Sequence, residues 1–109
     1  MIFELRSYQV APGRLAELVD NAERFAVPLQ QANGFDVVGC WTRDPDEDDH
    51  ADFVYLLRWE SQLARQEHWQ RFLSDTRWTE RQADTGANGP LVVSETVQIL
   101  HPTRFSGLT

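Results

Sequence analysis

The stretch LAELVDNAERFAVPLQQANG, residues 15–34, decides the fold. Leu15, Leu18, Val19, Ala22, Phe25, Ala26 and Leu29 recur at the i, i+3, i+4, i+7 spacing of one helical face. Glu17, Asp20, Glu23 and Arg24 fall on the opposite side. Pro28 has no amide hydrogen and is expected to bend or loosen the last turn. Asn33-Gly34 supplies a stop, because glycine readily takes the left-handed conformation that ends a helix. A helix with one apolar face has to bury it, and the segments on either side show against what.

Ile2 to Val10 has the alternation of a strand, with Ile2, Glu4, Arg6, Tyr8 and Val10 on one face and Phe3, Leu5, Ser7 and Gln9 on the other. Ala11-Pro12-Gly13 breaks it. On the far side of the helix, Phe35 to Thr42 and Phe53 to Trp59 read as two further strands, close enough for a hairpin with a long tip. The near-continuous apolar run from Phe53 to Leu57 suggests that both faces of that strand are covered. Ser61 is placed to cap a second helix whose apolar face is Trp69, Phe72 and Leu73, with Gln62 and Arg65 on the same side. Asp75 can cap a short third helix through Trp78 and Arg81. Ala83 to Pro90 is turn-rich, and Leu91 to Leu100 reads as the fourth strand. The tail after Pro102 is expected to be extended and docked through Phe105 and Leu108.

The resulting order, βαββαβ, is the split βαβ arrangement. It predicts a single α+β domain over residues 1–109, ferredoxin-like, with a four-stranded antiparallel sheet and helices on one face. The strands carry bulky apolar residues on both sides, so a helix-free face remains to be covered. A second copy stacked against it is the economical solution, and a homodimer is expected.

Charge and composition narrow the function classes. The chain has 109 residues, 41% hydrophobic and 25% charged, the balance of a globular domain. Its net charge is −7, and six of its 17 acids lie between Asp44 and Asp52. The remainder holds 11 acids against 10 bases, so the body is nearly neutral and carries one acidic loop. Nucleic acid is not an expected partner, since a phosphate backbone would be repelled. All ten bases are arginine, which removes any lysine Schiff base or P-loop lysine. No apolar run can span a membrane, and no basic region precedes an apolar core at the N-terminus, so a cytoplasmic location is expected. The lone Cys40, between Gly39 and Trp41, reads as a small buried hydrophobe.

Three separated blocks resemble NIPSNAP-type domains. The first is Ile2-Phe3-Glu4-Leu5-Arg6-Ser7-Tyr8 followed by Pro12-Gly13. The second runs from Phe53-Val54-Tyr55-Leu56-Leu57 and Trp59 through Arg65, Trp69, Phe72, Asp75 and Trp78. The third is Leu100, Pro102-Thr103, Phe105-Ser106 and Leu108. Arg58, where a small residue is usual, and the acidic 44–52 loop depart from the pattern. The resemblance implies a dimeric α+β barrel. The wider superfamily holds cofactor-free monooxygenases, haem-degrading enzymes and small-molecule binders, with pockets between sheet and helices. Any one of those activities would be analogy from the fold alone.

Several constellations could carry chemistry. Tyr55, Trp69, Phe72 and Trp41 should face one another and could line an apolar pocket, with Arg65 aimed at the sheet and in need of a partner; the plainer reading is core packing. Glu4, Arg6 and Tyr8 form a polar row that could hold a polar ligand, or could be a salt-bridged row at the dimer interface. His68, on the flank of the Trp69 stripe, could be a haem ligand or general base, or a partly exposed helix histidine. Asp44, Asp46 and Asp48 begin with calcium-loop spacing, but Asp49 stands where glycine is needed and Tyr55 where glutamate is needed. No metal site and no cofactor is expected, and no GxSxG, HExxH, GxGxxG or Walker pattern occurs. Two functions follow. One is an enzyme or binder for a small, partly aromatic or apolar molecule held between sheet and helices, in the manner of a cofactor-free monooxygenase. The other is a non-catalytic dimeric scaffold whose acidic loop meets a basic partner.

Overall fold

The central helix and its flanking strands assemble as their periodicities require. The computed structural model describes residues 1–47, 50–86 and 89–109. Strand β1 (Ile2–Val10) turns through Gly13, which takes φ +75°, into helix α1 (Leu15–Asn21). A π-helical turn over Ala22–Ala26 leads on into α2 (Val27–Ala32), and the junction residues keep right-handed helical angles. The three segments form one rod. Pro28 disturbs the turn before it, not the last turn as expected. A regular helix would press its ring against the Arg24 carbonyl, and the wider π turn relieves that contact. Pro28 itself sits in the first turn of α2, where no amide hydrogen is needed. Gly34 ends the rod at φ +86°, and a Cβ there would also lie 2.5 Å from the His68 ring.

Strands β2 (Asp36–Arg43), β3 (Asp52–Trp59) and β4 (Val92–Leu100) complete a sheet of order β2-β3-β1-β4. All neighbours run antiparallel, with Leu5 opposite Leu56 on one side and Gln98 on the other. Helices α3 (Gln62–Leu73) and α4 (Thr76–Gly86) join the first rod on one face. This is the ferredoxin-like α+β fold with a four-stranded antiparallel sheet. Ser61 caps α3, its Oγ accepting from the Ala64 amide at 3.1 Å. Asp75 starts α4, its Oδ1 accepting from the Arg77 amide at 2.9 Å. That helix outruns its expected end near Arg81, because no proline occurs before Pro90 to stop it.

Burial along β3 alternates strictly. Phe53, Tyr55, Leu57 and Trp59 are buried under the helices, while Val54, Leu56 and Arg58 are half-buried on the other face. A single chain therefore covers one face of β3, not both. At the centre of the core Phe35 meets Trp59 at 4.9 Å, Trp69 at 4.8 Å and Phe72 at 5.4 Å between ring centroids. Edge-to-face contacts of this kind add to the area they bury.

Two expectations fail at the periphery. Cys40 is exposed, because β2 is an edge strand with a neighbour on one side only. The tail does not dock through Phe105, which is 84% exposed. Leu108 instead borders a shallow hollow with Phe3, Leu56 and Leu100 on the helix-free face. Among the described residues no helix is long and apolar enough to cross a membrane, and no three metal-ligating side chains gather. Asp48 and Asp49 of the calcium-like spacing lie outside the described residues.

Candidate functional site

Strand alternation puts Glu4, Arg6 and Tyr8 on the helix face of β1, opposite Leu57, Tyr55 and Phe53 of β3. They do not line the helix-free face where a sheet-to-sheet interface would form. Glu4 has no exposure at all. A buried carboxylate is tolerable only when its lone pairs are filled, and here four side chains fill them. Its Oε1 accepts from Trp59 Nε1 at 3.0 Å, Trp69 Nε1 at 3.0 Å and Arg65 Nε at 2.7 Å. Its Oε2 accepts from Arg6 Nη1 at 2.6 Å and from Arg65 Nη2 at 3.3 Å. Burial alone would raise the Glu4 pKa, but the bonds from Arg65, Trp69 and Arg6 outweigh it and hold the carboxyl below its usual range.

The partner that Arg65 needed is thus a residue of the same chain. Its guanidinium is engaged with Glu4 and is not held out for a ligand. Arg6 is different. It spans from Glu4 to Tyr8, donating through Nε to the Tyr8 hydroxyl at 3.1 Å, and lies over the Trp69 ring at 4.4 Å. Tyr8 and Tyr55 share a hydroxyl–hydroxyl bond of 2.8 Å. Burial disfavours charge on Arg6, but Tyr8, Tyr55 and Glu4 outweigh it and keep the guanidinium charged. Burial pushes the Tyr55 hydroxyl well above the usual phenol range, so it remains a neutral donor and acceptor.

Above this polar floor the helices do not close on the sheet. A cavity of about 940 Å³ lies between them, in the upper part of the range seen for ligand sites. Arg6, Tyr8 and Tyr55 form its floor, Phe53 and Phe72 are among its apolar walls, and Trp69 stands at the side carrying Arg6. The space exists partly because the first helix presents Ala22 and Ala26 to it where larger residues would have filled it.

Of the six pocket candidates, the cavity gathers Tyr55, Arg65, Trp69 and Phe72. Trp41 is not among them. It is 53% exposed and lies beside Val54 on the opposite face of the sheet. His68 also stays outside. Its Nδ1 bonds to the Asn33 carbonyl at 2.8 Å and its ring stacks on Trp59 at 5.7 Å, so it braces α3 against the Asn33–Gly34 turn.

Most of the other lining residues escaped the reading of the sequence, Gln30, Trp78 and Glu95 among them. Gln30 carries a readable signal, since it falls four residues after Ala26 and eight after Ala22 on the same helical stripe. Glu95 could have been found from the pairing of β4 with β1, which sets it opposite Tyr8.

The NIPSNAP family model matches residues 3–107. A NIPSNAP family protein of unknown function from Agrobacterium tumefaciens is 22% identical, with 100% of this chain and 94% of that one covered, at a TM-score of 0.85. A NIPSNAP-like domain protein from Burkholderia xenovorans is 25% identical over 96% of this chain and 87% of its own, at a TM-score of 0.79. A more distant fold neighbour is a monooxygenase of Streptomyces coelicolor solved in complex with the ligand Nanaomycin D. It is 15% identical over 94% of this chain and 87% of that one, at a TM-score of 0.59. No curated protein matches the sequence.

Proposed function

The chain belongs to the NIPSNAP family, and on that footing we propose that each subunit of a homodimer binds or transforms a small, partly aromatic or apolar molecule between its sheet and helices. The observation that carries the reading is the cavity of about 940 Å³ where a domain of this size would normally pack side chains. A cleft of that size with largely apolar walls gains from covering those walls with a ligand, because apolar surface leaves water on binding. The fold shared with a monooxygenase solved in complex with the ligand Nanaomycin D supports the same reading by analogy. Oxygen consumption in the presence of an electron-rich phenol would extend it from binder to cofactor-free oxygenase.

The test is a fluorescence titration with N-phenyl-1-naphthylamine, a neutral probe that brightens in apolar surroundings. The wild-type chain is expected to bind it at micromolar concentration. Ala26→Phe, which places a ring inside the cavity, should abolish binding with the fold intact by circular dichroism. Equal binding by the variant would show that the probe sits elsewhere, and the reading would fail.

The dimer has its own test. On the helix-free face Leu5, Val54 and Leu56 are only half-buried, Trp41 is 53% exposed, and the tail adds Leu108. Patches of this kind are seldom left in water. Multi-angle light scattering at micromolar concentration should give twice the 12.6 kDa chain mass. A stable monomer would contradict the pairing.

A further inference from the structure

We infer that the cavity takes a small amphipathic monoanion: an apolar ring or branched body bearing one carboxylate or comparably acidic oxygen, with its charged end on Arg6. The inference rests on the cavity being a ligand site and names the chemical class that fills it.

Charge is the first ground. Two guanidiniums, Arg6 and Arg65, meet one wholly buried carboxylate, Glu4. Arg65 directs both Nε and Nη2 at Glu4, whereas Arg6 gives it only Nη1. The inner site is therefore one positive charge in excess, inside a chain whose net charge is −7. The remaining counter-charge is Glu95, whose side chain is 55% exposed and whose carboxylate lies 3.7 Å from Arg6 Nη2. That separation is an ion pair without a hydrogen bond. Among the described residues Arg6 Nη2 makes no hydrogen bond, although the Arg6 side chain is only 13% exposed and lines the cavity. A ligand carboxylate there would form the short, charge-assisted bonds that Glu95 does not. For a cationic ligand both Glu4 oxygens are already filled, and the Glu95 carboxylate is exposed and faces Arg6 at 3.7 Å, a poor anchor for a buried cation.

The walls supply the second ground. Gln30 is 5% exposed, and among the described residues its Oε1 has no hydrogen-bond partner. Trp78 Nε1 is likewise buried and unpartnered. Both residues line the cavity. Buried polar atoms left unpaired cost stability, and proteins rarely carry them without a reason. Each atom is sealed within the wall, so a ligand pairs with it only where the side chain turns into the cavity. Leu18, Ala22, Val27 and Phe53 give the wall an apolar stretch that suits a hydrocarbon body, while Asn21, Gln66 and Gln70 add polar edges that suit a few polar groups on it.

The experiment is calorimetric titration of the intact protein with three matched probes: 3-hydroxy-2-naphthoate, its methyl ester, and 1-naphthylmethylamine. The acid should bind about tenfold or more tighter than the ester, as expected for a desolvated charge pair, and the amine should not bind. Arg6→Gln should bring the acid down to the level of the ester. Arg6 also bonds to Glu4, so Glu95→Gln serves as a second variant that leaves the buried cage untouched. It removes the competing carboxylate and should tighten the acid severalfold. Equal affinity of acid and ester, binding of the amine, or an acid affinity that ignores Glu95→Gln would overturn the anion assignment while leaving the cavity as a site for neutral molecules. Failure of acid and ester alike would overturn both.

Discussion

Replacing Glu4 with alanine is expected to destabilise the domain by roughly 3–5 kcal/mol, the cost of removing one partner from a buried ionic cluster. The substitution leaves two guanidiniums and two indole N–H groups without their acceptor. Arg6 and Arg65 have side chains only 13% and 20% exposed, so water cannot easily replace the carboxylate. Against a domain stability of about 5–15 kcal/mol, such a loss would unfold a large fraction of the protein on mild heating. The pH dependence carries a sign. The folded-state pKa of Glu4 is held below its unfolded value near 4.5, so the folded chain binds fewer protons. The stabilisation is fully present above pH 4.5 and drains away as pH falls through the depressed folded value. Urea denaturation of wild type and Glu4→Gln at pH 7 and at pH 3.5 should therefore show a gap that narrows at the lower pH. A loss below about 1 kcal/mol for Glu4→Ala at pH 7 would mean that the cage relaxes into solvent.

Trp69→Ala is expected to cost about 3 kcal/mol, the low end of the range for removing a large aromatic from a core. The ring meets Phe35 at 4.8 Å and Phe72 at 5.8 Å, donates to Glu4, and carries the Arg6 guanidinium at 4.4 Å. It is only half-buried and has a void at its side, which keeps the loss below that of a filled core position. Trp69→Phe should keep the ring contacts and lose the indole donor, at about 1 kcal/mol. Chemical denaturation separates the two substitutions. Equal losses for alanine and phenylalanine would show that the hydrogen bond to Glu4, not the ring, holds the position.

The periodicity of residues 15–29 and the alternation in β1 and β3 gave away the element order, and the order allowed few topologies. The contents of the cavity were harder to read. Trp41 would face the helices if β2 paired evenly with β3, since the register that sets Val37 opposite Leu57 would carry Trp41 to Phe53. The register instead shifts by one between Val37 and Gly39, and Trp41 ends opposite Val54. One inserted residue moves every later side chain to the other face, and nothing in the local sequence demands it. Gly39 fits the outcome, because a Cβ there would lie 2.7 Å from the Trp41 ring. The same shift places Cys40 opposite Tyr55. Arg65 was legible as a buried cation in need of a partner, but Glu4 lies 61 residues away and the pair forms only through the tertiary fold. Ala22 and Ala26 read equally well as close packing and as room for a ligand, and only the position of the facing helices separates the two.

The most direct test of a ligand cavity between sheet and helices is a nuclear magnetic resonance titration of the 15N-labelled protein with N-phenyl-1-naphthylamine. The account predicts that the amides of Ala22, Ala26 and Gln30 and the indole N–H of Trp78 shift together and saturate with one affinity. Shifts confined to Leu5, Trp41, Leu56 and the tail on the helix-free face, or none up to the solubility of the probe, would contradict it.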